Sequence, residues 1–374
     1  MILVVVISLF CSFYIAVPAL IAVSSFALIS KDRREKLIGQ PNIRYLMAVI
    51  GISLFSSLIF TNWTGFFITI FIFLIMIFMF YVQSNITYDF YTSILNILIT
   101  LSIAVSVFGS FQKLYFSHVL EVPPFEGRIY SVFANPNYYA HIIDMVIIII
   151  IYKLMESGVK LSFKRKFFYL SVLALNFVTL ILTNCRSSII ALILGVIIIT
   201  VFHKKYWAAI SLFVLYAIYL LLIQLKPDIF PRMDLLYLDT AFFERLKIWQ
   251  ASLDGIKRSP IIGQGVLSYR KLIFHRLPDV PYAIHSHNIL LESVLSFGIL
   301  GTSFISMYIV KSIRHLKKVI GYPKGKSLFV FILAIISTNL IHGITDVTIL
   351  GPQTGLLFAI ILSGFCIKFN ETDK

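Results

Sequence analysis

The chain has 374 residues, of which 59% are hydrophobic and only 13% are charged, and its mean hydropathy is +0.92. An ordinary soluble domain has about a quarter of its residues charged, so the composition excludes that class and predicts a multi-pass membrane protein. The net charge of +15 would suit a nucleic-acid-binding protein, but lysine and arginine also collect in the cytoplasmic loops of membrane proteins. We therefore expect no nucleic acid partner.

Eleven apolar segments are long enough, or nearly so, to cross a hydrocarbon core of roughly 30 Å. They cover residues 2–29, 46–60, 66–82, 90–111, 136–152, 167–183, 187–202, 206–223, 288–310, 328–345 and 352–367. The first has no basic segment before it and no small-residue cleavage site, so it is predicted to be a retained span. The predicted fold is all-α, with about 11 transmembrane helices in one integral membrane domain over residues 1–374.

The basic residues predict the orientation of these spans. More than half of them lie in the four loops that follow spans one, five, seven and nine, and an even number of spans separates each successive pair. Since such loops are cytoplasmic, the N-terminus is predicted to lie outside the cytoplasm and the C-terminus inside.

One long hydrophilic stretch, residues 224–286 between spans eight and nine, is then extracytoplasmic. Within it, apolar residues recur at helical spacing and predict an amphipathic helix at about 241–258, on the membrane surface or on the helix bundle. These residues are Phe242, Leu246, Trp249, Leu253 and Ile256. The helix is predicted to end at Arg258-Ser259-Pro260, before a turn at Gly263-Gln264-Gly265.

The unusual polar residues converge on the extracytoplasmic side. Odd-numbered spans begin there, and helix N-termini with their free N–H groups attract anions. Spans five, seven and nine open with polar residues, span ten ends with two more, and two further arginines lie nearby. The candidates are Asn135, Asn137, Arg186, His285, His287, Asn288, His342, Asp346, Arg128 and Arg245.

Each candidate alone has an ordinary structural interpretation, such as helix capping or an arginine that snorkels to the interface. Together, arginines and helix N-termini suit a phosphate or diphosphate, because guanidinium binds phosphate oxygens in a bidentate way. A neighbouring histidine could act as general base near neutral pH. The His-x-His pair could also indicate zinc, but no third ligand has suitable spacing, and we predict no metal.

Span five also carries a polar stripe of Asn137, His141 and Asp144 on one helix face. Ionisable residues inside a bilayer are costly and often functional. The alternative is a structural hydrogen bond between helices, and the sequence does not decide between the two.

Four stretches resemble the O-antigen ligase and O-antigen polymerase family of bacterial membrane glycosyltransferases, over residues of about 128–355. The first two are Phe133-Ala134-Asn135-Pro136-Asn137 and Arg186-Ser187-Ser188. The third begins at Arg245-Leu246-Lys247-Ile248-Trp249 and continues to Gly263-Gln264-Gly265. The last runs from His285-Ser286-His287-Asn288 through Leu291-Glu292 to Phe297-Gly298-Ile299-Leu300-Gly301.

The resemblance implies an enzyme of the bacterial inner membrane that takes a glycan from undecaprenyl diphosphate on the outer face and joins it to an acceptor hydroxyl. It implies no cofactor, no nucleotide sugar and no metal. Arg186 and Arg245 correspond to the family's diphosphate-binding arginines, and we add Arg128 from its position. The essential histidine falls in the His-x-His motif, where we favour His287 over His285. We assign supporting roles to Asn135, Asn137, Asn288, Glu292, His342 and Asp346. Family members often have twelve spans against eleven here.

The expected function is polymerisation of undecaprenyl-diphosphate-linked repeat units into a surface polysaccharide such as O-antigen, capsule or exopolysaccharide, by an inverting glycosyltransferase. The alternative is a ligase that transfers the glycan to lipid A core or another acceptor, and a transporter or flippase is less favoured because no internal repeat is evident. Expected partners are the lipid-linked donor, the glycan acceptor and membrane lipid, with a chain-length regulator protein as a candidate. Further basic residues in the long loop could hold a second lipid diphosphate; they are Lys226, Arg232, Lys257, Arg258, Arg270, Lys271 and Arg276.

Overall fold

The computed structural model describes residues 1–121, 123–156, 159–225, 235–271, 283–367 and 369. These residues form α-helices and short 3-10 helices without a β-sheet, which confirms the predicted all-α class. The helices are α1 (Ile2–Ser8), α2 (Phe13–Ile29), α3 (Lys31–Ile38), α4 (Ile43–Ile59), α5 (Trp63–Asn85), α6 (Tyr88–His118), α7 (Pro136–Met155), α8 (Phe163–Leu182), α9 (Arg186–Phe202), α10 (Tyr206–Leu225), α11 (Leu235–Arg258), α12 (Ile289–Leu316), α13 (Pro323–Gly343) and α14 (Pro352–Leu362).

An apolar helix lies at each of the eleven predicted positions. Among the described residues, six are long and apolar enough to cross a membrane: α5, α6, α7, α8, α12 and α13. A seventh candidate is the pair α2 and α3, which is bent by 99°. The remaining positions hold the shorter apolar helices α4, α9, α10 and α14. The chain is therefore a multi-pass membrane protein, while the count of eleven crossings stays a prediction.

The first predicted span differs from the observed helices. Residues 2–29 do not form one helix, because the chain turns at Leu9–Ser12 and α2 starts only at Phe13. The side chain of Ser12 caps α2 by accepting a hydrogen bond from the backbone N–H of Tyr14. The side-chain amide of Gln353, at the start of α14, donates to the carbonyls of Leu9 and Cys11 and fixes this turn.

Helix α7 is the centre of the bundle. It is apolar on most of its surface and 15 of its 20 residues are buried, as expected for a helix that packs on every side. It contacts α6, α8, α9 and α13. The contact with α9 and α13 is close because Gly195 lacks a side chain: a Cβ atom there would lie 2.3 Å from Thr338 Oγ1 and 2.7 Å from Ile148 Cδ1.

Helix α12 is interrupted at Gly298, whose φ of +67° is left-handed and whose ψ is 179°. The interruption exposes backbone groups that would otherwise bond within the helix. The segment 260–265 satisfies them: Gln264 and Gly265 donate to the carbonyls of residues 295 and 296, and Ile299 and Leu300 donate to those of residues 260 and 261. We call the paired segments 260–265 and 295–300 the clasp.

The clasp also joins the turn between α4 and α5. The side-chain amide of Asn62 donates to the carbonyls of Gln264 and Val266 at 3.2 and 3.0 Å. Gly265, at φ +85°, lies so close to this turn that a Cβ atom would be 2.1 Å from Ser57 Oγ. This part of the long hydrophilic stretch is therefore hydrogen-bonded to α12 and to the turn between α4 and α5.

The amphipathic helix α11 spans Leu235–Arg258, against the predicted 241–258, and it ends where the sequence predicts. One face packs on α12 through Ile248, which shares a buried cluster with Leu295. Phe242, Leu246 and Leu253 remain 40–52% exposed along another face. Such a helix has apolar surface for both the bundle and a bilayer surface. Of the predicted loop 224–286, residues 226–234 and 272–282, with Lys226, Arg232 and Arg276, lie outside the described residues.

Candidate active site

Asp346 brings together side chains from distant parts of the sequence. It follows α13, is 5% exposed, and has His285 Nε2 and His287 Nδ1 at 3.4 and 3.3 Å from its Oδ1 atom. Its Oδ2 atom accepts a 2.7 Å hydrogen bond from the side-chain amide of Asn137, at the start of α7. The polar ends of α7, α12 and α13 therefore meet at one end of the bundle.

The charge of Asp346 is stabilised by these neighbours. Burial alone would raise the pKa of its carboxyl, but the close approach of His287, with further contributions from the nearby His285 and His342, lowers the pKa below its usual range. Burial lowers the pKa of His285, against the opposing effect of Asp346. At neutral pH the site thus combines a carboxylate with a neutral His285.

The loop that carries the histidines is held from within. Glu292, buried in the first turn of α12, accepts hydrogen bonds from the backbone N–H and the hydroxyl of Ser286 at 2.9 and 2.6 Å. Asn288 caps α12 by accepting from the N–H groups of Leu290 and Leu291. His287, between Ser286 and Asn288, adopts a left-handed φ of +47°. This conformation costs a non-glycine residue energy and persists only when the surrounding structure enforces it.

The hydrogen bonds distinguish the two histidines. His285 Nδ1 accepts from the backbone N–H of His287 at 3.2 Å, so the proton of neutral His285 is on Nε2, which faces Asp346. Both nitrogens of His285 are therefore engaged. His287 places Nδ1 toward Asp346 and is the more exposed of the two, with 28% of its side chain accessible against 9% for His285. Its Nε2 atom is thus the nitrogen left to exchange a proton with a bound molecule.

Arg128 supports this arrangement from the segment before α7. Its Nε atom donates to the carbonyl of Thr183 at 2.7 Å, and its Nη2 atom donates to the side-chain oxygen of Asn137 at 2.5 Å. Asn135 caps α7 by accepting from the backbone N–H of Asn137. A continuous series of contacts thus runs from Arg128 through Asn137 to Asp346.

A second polar cluster lies beside the first, deeper between the helices. Thr348 Oγ1 contacts the Nδ1 atoms of both His141 and His342, whose rings stack with centroids 4.4 Å apart. His342 Nε2 lies 3.4 Å from Ser187 Oγ and 3.9 Å from Cys185 Sγ at the start of α9. Burial would raise the pKa of the Cys185 thiol, but the hydrogen bond and charge of His342, with Arg128 and Ser187, lower it to about 6.

Three members of this second cluster were not predicted from the sequence as site residues: Cys185, Ser187 and Thr348. Cys185 and Ser187 carried a signal, since they flank Arg186 at a polar helix start. Thr348 carried none, because a threonine in a short turn is common and its two histidine partners are remote in sequence.

The predicted diphosphate ligands occupy different places. Arg128 is 5% exposed and bonded within the protein. Arg186 is half-buried as the first residue of α9, between Cys185 and Ser187, so it lies beside the second cluster. Arg245 is half-buried on α11, one turn before Ile248, which packs against α12. Among the described residues, no contact joins Arg245 to the histidines; only the packing of α11 on α12 brings it toward them.

His285, His287 and Asp346 also form a group that could hold a metal ion, since their ligand atoms lie within 4.8 Å of one another. The sequence showed no third ligand for the His-x-His pair, and the structure identifies Asp346 in that place. Two imidazoles and a carboxylate would leave positions open on a transition-metal ion such as zinc. The same distances also fit N–H···O contacts without any ion.

A family model described as O-antigen ligase matches residues 171–306. The match includes α9 with Arg186, α11 with Arg245 and the loop with His285 and His287, while Arg128, Asn137 and Asp346 lie outside it. A comparison with curated proteins finds no match. This family is a class of glycosyltransferase-like membrane enzymes and implies lipid-linked glycan substrates. Over residues 171–306 the chain is therefore similar to the O-antigen ligase family model, and this match supports the resemblance that its motifs predicted.

Proposed function

We propose that this protein polymerises undecaprenyl-diphosphate-linked oligosaccharide repeat units into a surface polysaccharide on the outer face of the bacterial cytoplasmic membrane. The observation that carries the proposal is the pairing of His287 with the buried carboxylate of Asp346, on a loop within the matched domain. This pairing suits a group that removes a proton from an acceptor hydroxyl.

His287 is the general base of the proposed reaction. Its Nδ1 faces Asp346, so the carboxylate orients the ring and stabilises the imidazolium that forms when Nε2 takes a proton. His285 is a positioning residue, because one of its nitrogens accepts from the backbone of His287 and the other faces Asp346. Asn137 donates to the other carboxylate oxygen of Asp346, and Arg128 donates to Asn137 and holds it in place.

Arg186 and Arg245 bind the diphosphate of the donor. Guanidinium groups neutralise the charge that develops on a departing diphosphate and match its oxygens in a bidentate way. Arg186 is also the first residue of α9, and the N-terminal end of that helix carries partial positive charge, which likewise attracts the diphosphate. We assign Arg128 to positioning Asn137 instead of to the diphosphate, since its Nε and Nη2 atoms already donate within the protein.

The reaction is a single displacement with inversion. The acceptor hydroxyl oxygen forms a bond to the anomeric carbon of the donor glycan while the bond from that carbon to the diphosphate oxygen breaks. The hydroxyl proton passes to His287 Nε2, and undecaprenyl diphosphate leaves with the bonding electron pair. The balance requires no metal and no cofactor. The proposed orientation puts this site outside, with the N-terminus outside and the C-terminus in the cytoplasm.

The alternative is a ligase with the same donor chemistry and a lipid A core or another acceptor. A polymerase must hold a second lipid diphosphate, and the basic residues of the long loop are the candidates for it. Two of them have other partners: Lys271 donates to the backbone and hydroxyl of Thr61, and Lys257 pairs with Asp254 at 2.9 Å. Among the described residues, the charge of Arg258 and Arg270 then carries the preference for a polymerase.

Deletion of the gene tests the choice of acceptor. A polymerase deletion leaves single repeat units attached to the final acceptor, and the wild-type gene restores long chains, whereas a His287→Ala gene does not. If deletion instead leaves long polymer on the lipid carrier, the protein is a ligase. If a chain-length regulator is a partner of this protein, deletion of the regulator should change the distribution of polysaccharide chain lengths only in cells in which this protein is active.

A further inference from the structure

The three side chains at the centre of the proposed active site also have the chemistry of a transition-metal site. His285, His287 and Asp346 each offer one ligand atom, and these atoms lie within 4.8 Å of one another. Imidazole nitrogens suit zinc, copper and nickel, whereas magnesium and calcium prefer oxygen ligands. Two imidazoles and one carboxylate are a ligand set that holds zinc in proteins, and zinc binds without redox chemistry. Zinc is therefore the ion that this cluster fits best.

The distances within the cluster match those between ligands of one ion. Ligands roughly 2.0–2.2 Å from a tetrahedral zinc ion are about 3.3–3.5 Å from one another. Asp346 Oδ1 lies 3.4 Å from His285 Nε2 and 3.3 Å from His287 Nδ1. The third distance, between the two nitrogens, is at most 4.8 Å. His287 has the more exposed side chain of the two histidines, so its ring has the room to turn toward an ion.

The contact between His287 and Asp346 does not have the geometry of a hydrogen bond. Among the described residues, the buried Nδ1 atom of His287 has no hydrogen-bond partner, although the carboxylate oxygen is 3.3 Å away. Catalytic hydrogen bonds are often poorly aligned until the substrate binds, so the contact is compatible with the proposed base. It is equally compatible with a metal ion, which lies between its ligand atoms and does not require an N–H group to point at the oxygen.

We propose that His285, His287 and Asp346 bind a zinc ion that inhibits glycan joining. This inference rests on the proposed function, in which His287 is the general base. Zinc on Nδ1 of a neutral His287 leaves the ring proton on Nε2, so Nε2 no longer accepts the proton of the acceptor hydroxyl. The ion also neutralises Asp346, whose charge is then not available to stabilise an imidazolium.

Zinc binding has a cost at His285. Its Nδ1 atom accepts a hydrogen bond from the backbone N–H of His287 at 3.2 Å, so the ring proton is on Nε2. Zinc on Nε2 moves that proton to Nδ1 and breaks this hydrogen bond. The protein therefore favours the metal-free state when zinc is scarce, and zinc acts as a reversible inhibitor instead of a resident cofactor.

Zinc binding is measured first, on the full-length protein in detergent and without a glycan substrate. Protein treated with EDTA and then dialysed is titrated with zinc chloride by isothermal titration calorimetry, and its Tm is recorded over the same range. We expect one saturable site and a rise in Tm for the wild type. Asp346→Asn and His287→Ala should lose both, and magnesium chloride should have no effect. If Asp346→Asn does not fold, His287→Ala carries the comparison.

Two further variants are matched controls for the ligands. His118→Ala removes an exposed histidine at the end of α6, and Cys185→Ser removes the thiol of the second cluster. Both should keep the zinc response of the wild type. A response that is lost in Cys185→Ser but kept in His287→Ala would place the zinc in the second cluster and overturn the proposal.

Turnover of a lipid-linked glycan is then measured over the same range of zinc. Inhibition with the midpoint of the binding curve, reversed by EDTA, supports the proposal. Absence of zinc binding, or zinc binding that leaves turnover unchanged, overturns it. Absence of binding leaves the proposed function intact, whereas normal turnover by His287→Ala without zinc overturns the proposed function and the inference with it.

Discussion

His287 Nδ1 lies 3.3 Å from Asp346 Oδ1, although the two residues are separated by the whole of α12 and α13. This contact predicts unequal roles for the two histidines. His287→Ala should reduce kcat by about 10²–10⁴-fold, the usual contribution of a general base. His285→Ala should reduce activity less, because it removes only a neighbour of the base. Turnover of a lipid-linked glycan by the purified variants measures both, and equal losses would contradict the assignment.

Asp346→Asn should change the pH dependence as well as the rate. Burial lowers the pKa of His285 and Asp346 opposes this effect, so removal of the carboxylate should lower the pKa of His285 further. Because a protonated His285 cannot accept from the backbone N–H of His287, the acid limb of the pH–rate profile should move to lower pH, together with a lower kcat. Because the folded-state pKa of Asp346 is lowered, the stability from its contacts is present above its unfolded pKa of about 4 and is lost as pH falls below that value. An unchanged profile would mean that Asp346 only holds the loop.

Arg186→Ala and Arg245→Ala should each abolish glycan joining while the protein still inserts. Loss of a charge-assisted contact to a bound diphosphate should cost on the order of 2–5 kcal/mol of binding. Replacing either arginine with lysine should restore little activity, because an ammonium group cannot bind two diphosphate oxygens in the bidentate way of a guanidinium group. Lys247→Ala, on the same helix as Arg245, is the matched control and should keep its activity. Normal product from both arginine variants would show that these side chains only snorkel.

Activity should survive chelators. His285, His287 and Asp346 have the composition of a metal site, but the proposed base needs the Nδ1 atom of His287 to face the carboxylate. Purified enzyme incubated with EDTA or 1,10-phenanthroline should retain its turnover, with a zinc-dependent hydrolase as positive control. Inactivation that added zinc reverses would replace the general-base mechanism with a metal-assisted one.

The clasp predicts that one added methyl group, at Gly298, strongly lowers the stability of the protein. Gly298→Ala should destabilise the protein by about 1–3 kcal/mol from the left-handed backbone alone, and more because its Cβ would lie 2.1 Å from the carbonyl oxygen of Ile261. Gly321→Ala is the control, since a Cβ there meets nothing within 4 Å. Thermal unfolding in detergent compares the two, and equal Tm values would show that the clasp does not stabilise the fold.

The orientation of the site stays open to a direct test. Reporter fusions at Lys164, Lys204 and Lys317 should report the cytoplasm, and a fusion near Asp254 should report the outside, because basic loops are retained inside. A cytoplasmic signal at Asp254 would place the proposed active site in the wrong compartment.

Sequence reasoning predicted the helices well because apolar length is imposed by the bilayer and is visible in the residues. It merged α1 and α2, since Leu9–Ser12 is apolar apart from Ser12, the residue that caps α2. Asp346 was predicted only as a supporting residue, because the contacts of its carboxyl come from residues 59 to 209 positions earlier, which no local pattern reveals. Gly298 was noticed within a family motif, but its effect on α12 depends on the segment 260–265, so it could not be read from α12 alone.

The clasp imposes an order on biosynthesis. The side-chain amide of Asn62 bonds to the carbonyl of Gln264, 202 residues later, and the backbone of that segment pairs with residues 295–300 of α12. While the chain is being synthesised, the turn between α4 and α5 reaches the membrane surface long before either partner exists. Helix α11 cannot pack on α12 until α12 has entered the bilayer, so the segment that carries α11 must wait without this partner. Ribosome pausing or chaperone binding in that interval would then govern the yield of folded protein.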